Sequence, residues 1–111
     1  MKRGSIWWAY IGEPQGSSPG YRRPVVIVQA DKFTRSQLRT VPVATISSNL
    51  RLADIPSNIL VPATISTLPR DSVINISQVI AIDKQFFEEK VTDLPTRFLY
   101  LLDSSLRLIM D

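Results

Sequence analysis

The sequence predicts a mainly β protein with a C-terminal α-helix, organised as a small barrel. Short runs rich in Val, Ile and Thr alternate with turns that contain Gly or Pro, which is typical of small barrels. At the C-terminus the pattern changes, and apolar residues recur every three or four positions, as on one face of a helix. The length of 111 residues fits one domain spanning residues 1–111.

The apolar runs define the expected strands. They cover residues 5–10, 24–29, 40–46, 58–63, 72–76 and 78–82, the last two as separate strands or as one interrupted strand. The run at 24–29 is continuously apolar up to Gln29, which predicts burial on both faces. Pro42 favours an edge or bulge position for its strand, because proline lacks the N–H that a central strand needs. Short helical turns are expected at 31–37 and 83–87.

The C-terminal segment predicts a helix of about 15 residues. Pro95 suits the first turn, and Thr92 and Asp93 just before it are capping candidates. Six apolar residues are expected on the face that packs against the sheet: Leu94, Phe98, Leu101, Leu102, Leu106 and Ile109.

The chain contains neither cysteine nor histidine. The first absence excludes a disulfide framework, a thiolate zinc site and a cysteine nucleophile, and the second removes the usual general base at neutral pH. The carboxylates show no spacing typical of a metal site, and no glycine-rich phosphate loop is present. Any chemistry is therefore expected to use carboxylates, hydroxyls, amides and arginines, with no metal and no cofactor.

The charge is uneven along the chain. The net charge is +3, but residues 1–55 hold eight basic and three acidic side chains, and nine of the 13 basic residues are Arg. Arginine binds phosphate through two N–H groups, so this half suggests nucleic acid or another anion, with a solvated surface as the alternative. The apolar stretch at 6–11 is too short for a signal peptide or a membrane span, which favours a cytoplasmic protein.

Two strand ends carry candidate chemistry. Arg22 and Arg23 precede Pro24 and follow a Gly- and Pro-rich loop at 12–20, an arrangement that suits a phosphate clamp; a surface Arg pair is the alternative. Ser47 and Ser48 follow the strand at 40–46, where a hydroxyl can bind or protonate a phosphoryl oxygen, although serines are also common in turns.

A third group of polar residues lies within apolar strands. Asn75, Ser77 and Gln78 suit the reading of base edges, or simply the solvated face of a sheet. Arg70 and Asp71 predict a turn with a surface ion pair of little energetic value.

Several segments, taken in order, resemble the MazF/PemK toxin family. The opening at 3–9, RGSIWWA, is similar to the "RGDIWWADL"-like start of that family, and Gly16-Ser17 is similar to its loop. The other matching segments are RRPVVIVQ at 22–29, DKF at 31–33, VATISS at 43–48, LPRDSVIN at 68–75, as in mycobacterial members, and IDK at 82–84.

The resemblance implies an SH3-like barrel that forms a homodimer, with single-stranded RNA across the interface. It also implies a metal-independent endoribonuclease that uses the substrate 2′-OH and leaves 2′,3′-cyclic phosphate and 5′-OH ends. By position, the catalytic residues are Arg23 and Ser47. The residues implied to contact RNA are Gly16, Ser17, Arg22, Ser48, Asn49, Asn75, Ser77 and Gln78.

This chain departs from the family pattern in two respects. Many members carry Thr where Ser47 stands, and Ser48 competes for the catalytic role. Kid-type members have an Arg where Asn75 stands here and an Asp, which serves as a base in their mechanism, where Ser77 stands here. The residue that accepts the 2′-OH proton therefore stays open, and the resemblance implies catalysis dominated by positioning and charge stabilisation.

The resemblance further implies an antitoxin partner with an acidic, disordered C-terminal tail that folds on binding. Two alternatives remain: a CcdB-like toxin that binds gyrase on the same fold, and a catalytically inactive RNA-binding module.

Overall fold

Six antiparallel strands form one sheet in the computed structural model, which describes residues 1–11 and 21–110. The strands are β1 (Ser5–Ile11), β2 (Tyr21–Ile27), β3 (Thr40–Ser47), β4 (Ile59–Val61), β5 (Ser72–Asp83) and β6 (Phe87–Asp93). Their order across the sheet is β4-β5-β3-β2-β1-β6. The helices are α1 (Asp31–Thr34), α2 (Ala63–Ser66) and α3 (Thr96–Met110), with 3-10 turns at Leu50–Asp54 and Lys84–Phe86.

The sheet is apolar on both faces near its centre. Val25, Val26 and Ile27 of β2 are all fully buried, as the continuous apolar run predicted. Because side chains alternate along a strand, Val26 joins one core cluster while Val25 and Ile27 join the other. The first cluster lies against α3 and includes Phe98.

Helix α3 has the predicted length of 15 residues, but its buried stripe is narrower than the sequence indicated. Phe98 and Leu102 are buried, whereas Leu101 and Ile109 are 46% and 41% exposed. The helix packs on the start of β1, where a Cβ on Gly4 would lie 2.1 Å from the Leu99 Cδ2 atom. None of the described helices is both long and apolar enough to cross a membrane.

Leu102→Ala is expected to lower the free energy of unfolding by about 2–5 kcal/mol, because the fully buried side chain leaves a cavity in the first core cluster. Leu101→Ala is the matched control, and its expected loss is about 0.5 kcal/mol or less. Urea denaturation at one fixed protein concentration measures both. Equal losses for the two variants would contradict the packing described here.

The strand pattern needs correction at two points, the position of Pro42 and the last strand. Pro42 does not lie in an edge strand, since β3 is between β2 and β5. The Pro42 carbonyl accepts a hydrogen bond from the Val28 N–H. The Pro42 nitrogen therefore also faces the β2 side of β3, at a point just beyond the end of β2, where no strand hydrogen bond is needed from it. Residues 87–93 form β6, which the sequence pattern did not predict because its residues are mostly charged. Residues 72–83 form one strand interrupted by a bulge, which is one of the two predicted alternatives.

The 3-10 turn at Lys84–Phe86 agrees with the expected helical turn. Asp83 precedes it, and the Asp83 carboxylate accepts a hydrogen bond from the Gln85 N–H at 3.0 Å. The turn leads the chain from β5 into β6, which pairs with β1 at the edge of the sheet.

Candidate functional site

A groove of about 620 Å³ lies where β1, β2, the end of β3 and the start of β5 converge. Some of its lining residues have basic, hydroxyl or amide side chains, and the others form an apolar wall. The lining residues are Trp8, Arg22, Arg23, Pro24, Ile46, Ser47, Ser48, Asn49, Leu68, Pro69, Arg70 and Ser72. No carboxylate is among these lining residues of the described chain. The groove therefore presents three guanidinium groups and several hydroxyls on one surface, a suitable combination for an anionic ligand.

Arg23 lies between this groove and a second one. Its backbone pairs with Ala9 of β1, and its side chain is exposed. The second groove, of about 510 Å³, is lined by Arg23, by Thr45, and by residues of β1 and β5: Ile11, Ser77, Gln78, Val79 and Ile80. Arg23 thus borders both grooves, so an extended ligand that crosses from one groove to the other passes Arg23.

Ser47 ends β3 with its side chain half-buried in the first groove. Its Oγ accepts a hydrogen bond from the Asn49 N–H at 3.1 Å, so the residue does form a turn, as the alternative interpretation supposed. Accepting that bond leaves the hydroxyl proton available for donation. Ser48 is more exposed, and the Asn49 side chain accepts from the Arg51 N–H to cap the 3-10 turn.

A bulge in β5 brings Ser77 and Gln78 to the second groove. Ala44 pairs with Val79 and the next residue, Thr45, pairs with Asn75, so the three residues at 76–78 have no partner in β3. Ser77 and Gln78 are exposed, in line with the solvated-face alternative. Asn75 is buried instead, and its Oδ1 accepts a hydrogen bond from the Ser77 hydroxyl.

The bulge also needs a substitute for a lost backbone hydrogen bond. The Ile76 N–H donates to the Asn58 Oδ1 at 3.0 Å, and the Asn58 amide donates to the Leu52 carbonyl at 3.0 Å. Asn58 therefore supports the extruded residues, a role that its position before β4 did not reveal in the sequence. Gly16 and Ser17, two further candidates, lie outside the described residues.

Arg70 and Trp8 belong to the groove although neither was a candidate from the sequence. Asp71 does not form the expected ion pair with Arg70; its carboxylate accepts from the Ala63 N–H at 2.8 Å. Within residues 1–11 and 21–110, the ion pairs do not include Arg70. The signal available in the sequence was the LPRDSVIN segment at 68–75, which contains Arg70. The pairing of Val73 with Ser47, which brings this segment to the groove, is visible only in the structure.

Arg22 lines the groove but is engaged by other residues of the chain. It forms ion pairs with Glu88 and Glu89, and its Cζ lies 4.4 Å from the centre of the Trp8 ring. The hydrogen bond with Glu88 has the largest effect and raises the pKa of Arg22 above its ordinary value. Desolvation opposes this shift, and the hydrogen bond with Glu89 adds to it. The side chain consequently keeps its charge throughout the neutral range.

No group of three or more His, Cys, Asp or Glu side chains in the described part of the chain is arranged to hold a metal ion.

Comparisons with known proteins identify the family of the chain. The sequence model of one protein family, the PemK-like, MazF-like toxins of type II toxin-antitoxin systems, matches residues 2–110 of the chain. The chain belongs to this toxin family. The resemblance found in the sequence motifs is therefore confirmed across nearly the whole chain.

Two curated relatives and one solved structure illustrate the membership. The chain is 40% identical over 111 residues to endoribonuclease MazF6 of Mycobacterium tuberculosis, covering 100% of this chain and 97% of the relative. It is 32% identical over 108 residues to endoribonuclease EndoA of Bacillus subtilis, covering 97% and 92%.

The solved structure is an endoribonuclease in complex with its cognate antitoxin from a mycobacterial species, with a TM-score of 0.75 and 12% identity. The match covers 99% of this chain and 92% of that one. It confirms the predicted fold class for this member of the family, a small antiparallel β structure with a C-terminal helix.

Proposed function

We propose that this toxin-family member is an endoribonuclease that cleaves single-stranded RNA at short sequences, with residues 1–111 acting as one domain. The observation that carries the proposal is the groove in which Arg23 and Ser47 line one surface. The curated relatives named above are endoribonucleases, and they align with this chain over nearly its full length. Arginine, hydroxyl and amide side chains are the groups that bind phosphates and unpaired bases.

In the proposed reaction the 2′-hydroxyl of the RNA gives its proton to a solvent molecule, and its oxygen attacks the adjacent phosphorus. The P–O5′ bond breaks, which gives a 2′,3′-cyclic phosphate and a 5′-oxygen that takes up a proton. Arg23 stabilises the additional negative charge on the phosphoryl oxygens in the transition state. The Ser47 hydroxyl orients a phosphoryl oxygen or donates a proton to the leaving oxygen.

We propose that this route needs no metal and no cofactor. Support comes from the residue types: the groove is lined by arginines, hydroxyls and amides, whereas divalent cations that assist phosphoryl transfer prefer carboxylate ligands. Charge stabilisation by Arg23 supplies what a cation otherwise provides.

The remaining parts of the site bind RNA in this proposal. In the first groove the RNA strand is bordered by Ser48, Asn49 and Arg70. In the second groove the base edges are read by Ser77 and Gln78. Buried Asn75 acts through Ser77, to which it is hydrogen-bonded. Gly16 and Ser17, in the segment that follows β1, complete the proposed contacts.

The proposed partners are a second copy of the chain and an antitoxin, in the cytoplasm. A related endoribonuclease forms a complex with its cognate antitoxin. An acidic antitoxin tail suits the guanidinium groups of Arg23 and Arg70 in the groove, so it competes with RNA for the same surface.

The test is incubation of the purified protein with a long single-stranded RNA in the presence of EDTA, followed by mapping of the fragment ends. The expected result is a set of discrete cuts at one recurring short sequence, with cyclic-phosphate and 5′-OH ends. Intact RNA from a folded protein, both with EDTA and in a parallel incubation with Mg²⁺, would overturn the proposal in favour of a toxin that binds gyrase or an inactive RNA-binding module. Cleavage that EDTA abolishes would overturn its metal-independent part alone.

A further inference from the structure

Arg22 and the Trp8 ring form a stacked pair in the first groove, called here the Trp8–Arg22 pair. The Arg22 Cζ lies 4.4 Å from the centre of the indole, and the Arg22 side chain is 39% exposed. The guanidinium donates from Nε to Glu88 and from Nη2 to the Glu89 Oε1, the latter at 2.8 Å. All N–H bonds of a guanidinium lie in its plane, so these carboxylates hold its edge and leave its faces free for stacking.

A bulge in β6 explains how two consecutive carboxylates reach one guanidinium. Trp8 pairs with Glu89 and the next residue, Ala9, pairs with Phe87, so Glu88 is the extra residue on β6. Consecutive side chains of a regular strand point to opposite faces, but a bulge redirects one of them. Both Glu88 and Glu89 therefore converge on Arg22, which is fixed over the indole.

The charge of this arrangement argues against a phosphate contact at Arg22. One cation is held by two carboxylates, so the local net charge is negative and repels a phosphate. In the same groove, Arg70 is in none of the ion pairs of the described residues and is available for a phosphate. What Arg22 offers to a ligand is its flat outer face rather than its charge.

We propose that the Trp8–Arg22 pair is a stacking platform for one nucleobase of the RNA, beside the phosphate that Arg23 contacts. Nucleobases stack on arginine planes and on aromatic rings, and such stacking tolerates different bases. The pair borders the proposed catalytic residues because Pro24, which follows Arg23, is the cross-strand neighbour of Trp8. This inference rests on the proposed RNA-cleaving function and assigns Arg22 a positioning role within it.

The test is a binding measurement on the full-length protein with two labelled probes. The first probe is a short single-stranded 2′-O-methyl oligonucleotide, which has no free 2′-OH and resists cleavage; the second has the same number of phosphates but no bases. Fluorescence anisotropy gives the dissociation constants for wild type and for Arg22→Ala. Arg22→Ala is expected to weaken binding of the first probe about tenfold, and to leave binding of the abasic probe unchanged.

Arg70→Ala is the matched control, because it removes an arginine from the same groove. It is expected to weaken binding of both probes by the same factor. It should also reduce the slope of log affinity against log salt concentration by about 0.7, the value for one phosphate contact on a single strand. Arg22→Ala should leave that slope unchanged.

Two further variants separate a planar face from a charge. Arg22→Lys keeps the cation but lacks the plane, so stacking predicts the same loss as Arg22→Ala, whereas a phosphate contact predicts near-normal binding. The double variant Glu88→Gln with Glu89→Gln frees the Arg22 charge and is expected to steepen the salt slope by about 0.7.

The outcomes separate this inference from the proposed function. If wild type binds the first probe and Arg22→Ala weakens both probes equally, or neither, the platform is overturned and RNA binding stands. Normal binding by Arg22→Lys has the same meaning. If wild type binds neither probe, the platform and the RNA-directed function both fall.

Discussion

Arg23→Ala is expected to lower the rate of RNA cleavage by about 100- to 1000-fold, the loss typical of removing one transition-state charge contact. Among residues 1–11 and 21–110, Arg23 alone lines both grooves, so its loss affects ligand contacts in each of them. Single-turnover cleavage of a labelled RNA that contains the mapped recognition sequence measures the loss. Arg23→Lys is expected to retain part of the activity that Arg23→Ala loses, because lysine keeps the positive charge but cannot make the bidentate contact with a phosphate.

Arg35→Ala is the control for that experiment, since Arg35 is an exposed arginine outside both grooves. Its cleavage rate should equal that of wild type. The urea midpoint of Arg23→Ala should also be close to wild type, because the side chain is exposed and most surface substitutions change stability little. A folded Arg23→Ala protein with normal cleavage would remove Arg23 from the mechanism.

Ser47→Ala is expected to slow cleavage by about 100-fold, the lower end of the range for a group that positions or transfers a proton. Ser48→Ala should slow it by no more than a few-fold. The structural reason is placement: Ser47 is half-buried at the end of β3 and held by the Asn49 N–H, whereas Ser48 is exposed. The same single-turnover assay measures both variants.

A rescue variant distinguishes chemistry from turn structure at this position. Ser47→Thr keeps the hydroxyl and is expected to restore most of the activity that Ser47→Ala loses. A larger loss from Ser48→Ala than from Ser47→Ala would reverse the assignment of the two serines. Equal cleavage by Ser47→Ala and wild type would leave the hydroxyl without a catalytic role.

The sequence by itself indicated most of the local elements, although not β6, and its family motifs indicated the proposed catalytic pair. The β-branched run at 25–27 predicted a strand buried on both faces, and the helical spacing after Pro95 predicted α3. Arg23 and Ser47 were also identified from strand ends and family motifs, and the structure brings them to one groove. These features depend on neighbours within a few residues, so the sequence carries them directly.

Only the tertiary structure decided which polar residues accompany that pair. The β5 bulge exposes Ser77 and Gln78 and buries Asn75, although all three looked alike in the sequence. Long-range pairing of β6 with β1 set Glu88 and Glu89 against Arg22, 66 and 67 residues away in the chain. Register shifts and contacts across such distances arise from the packing of the whole sheet, and no local periodicity encodes them.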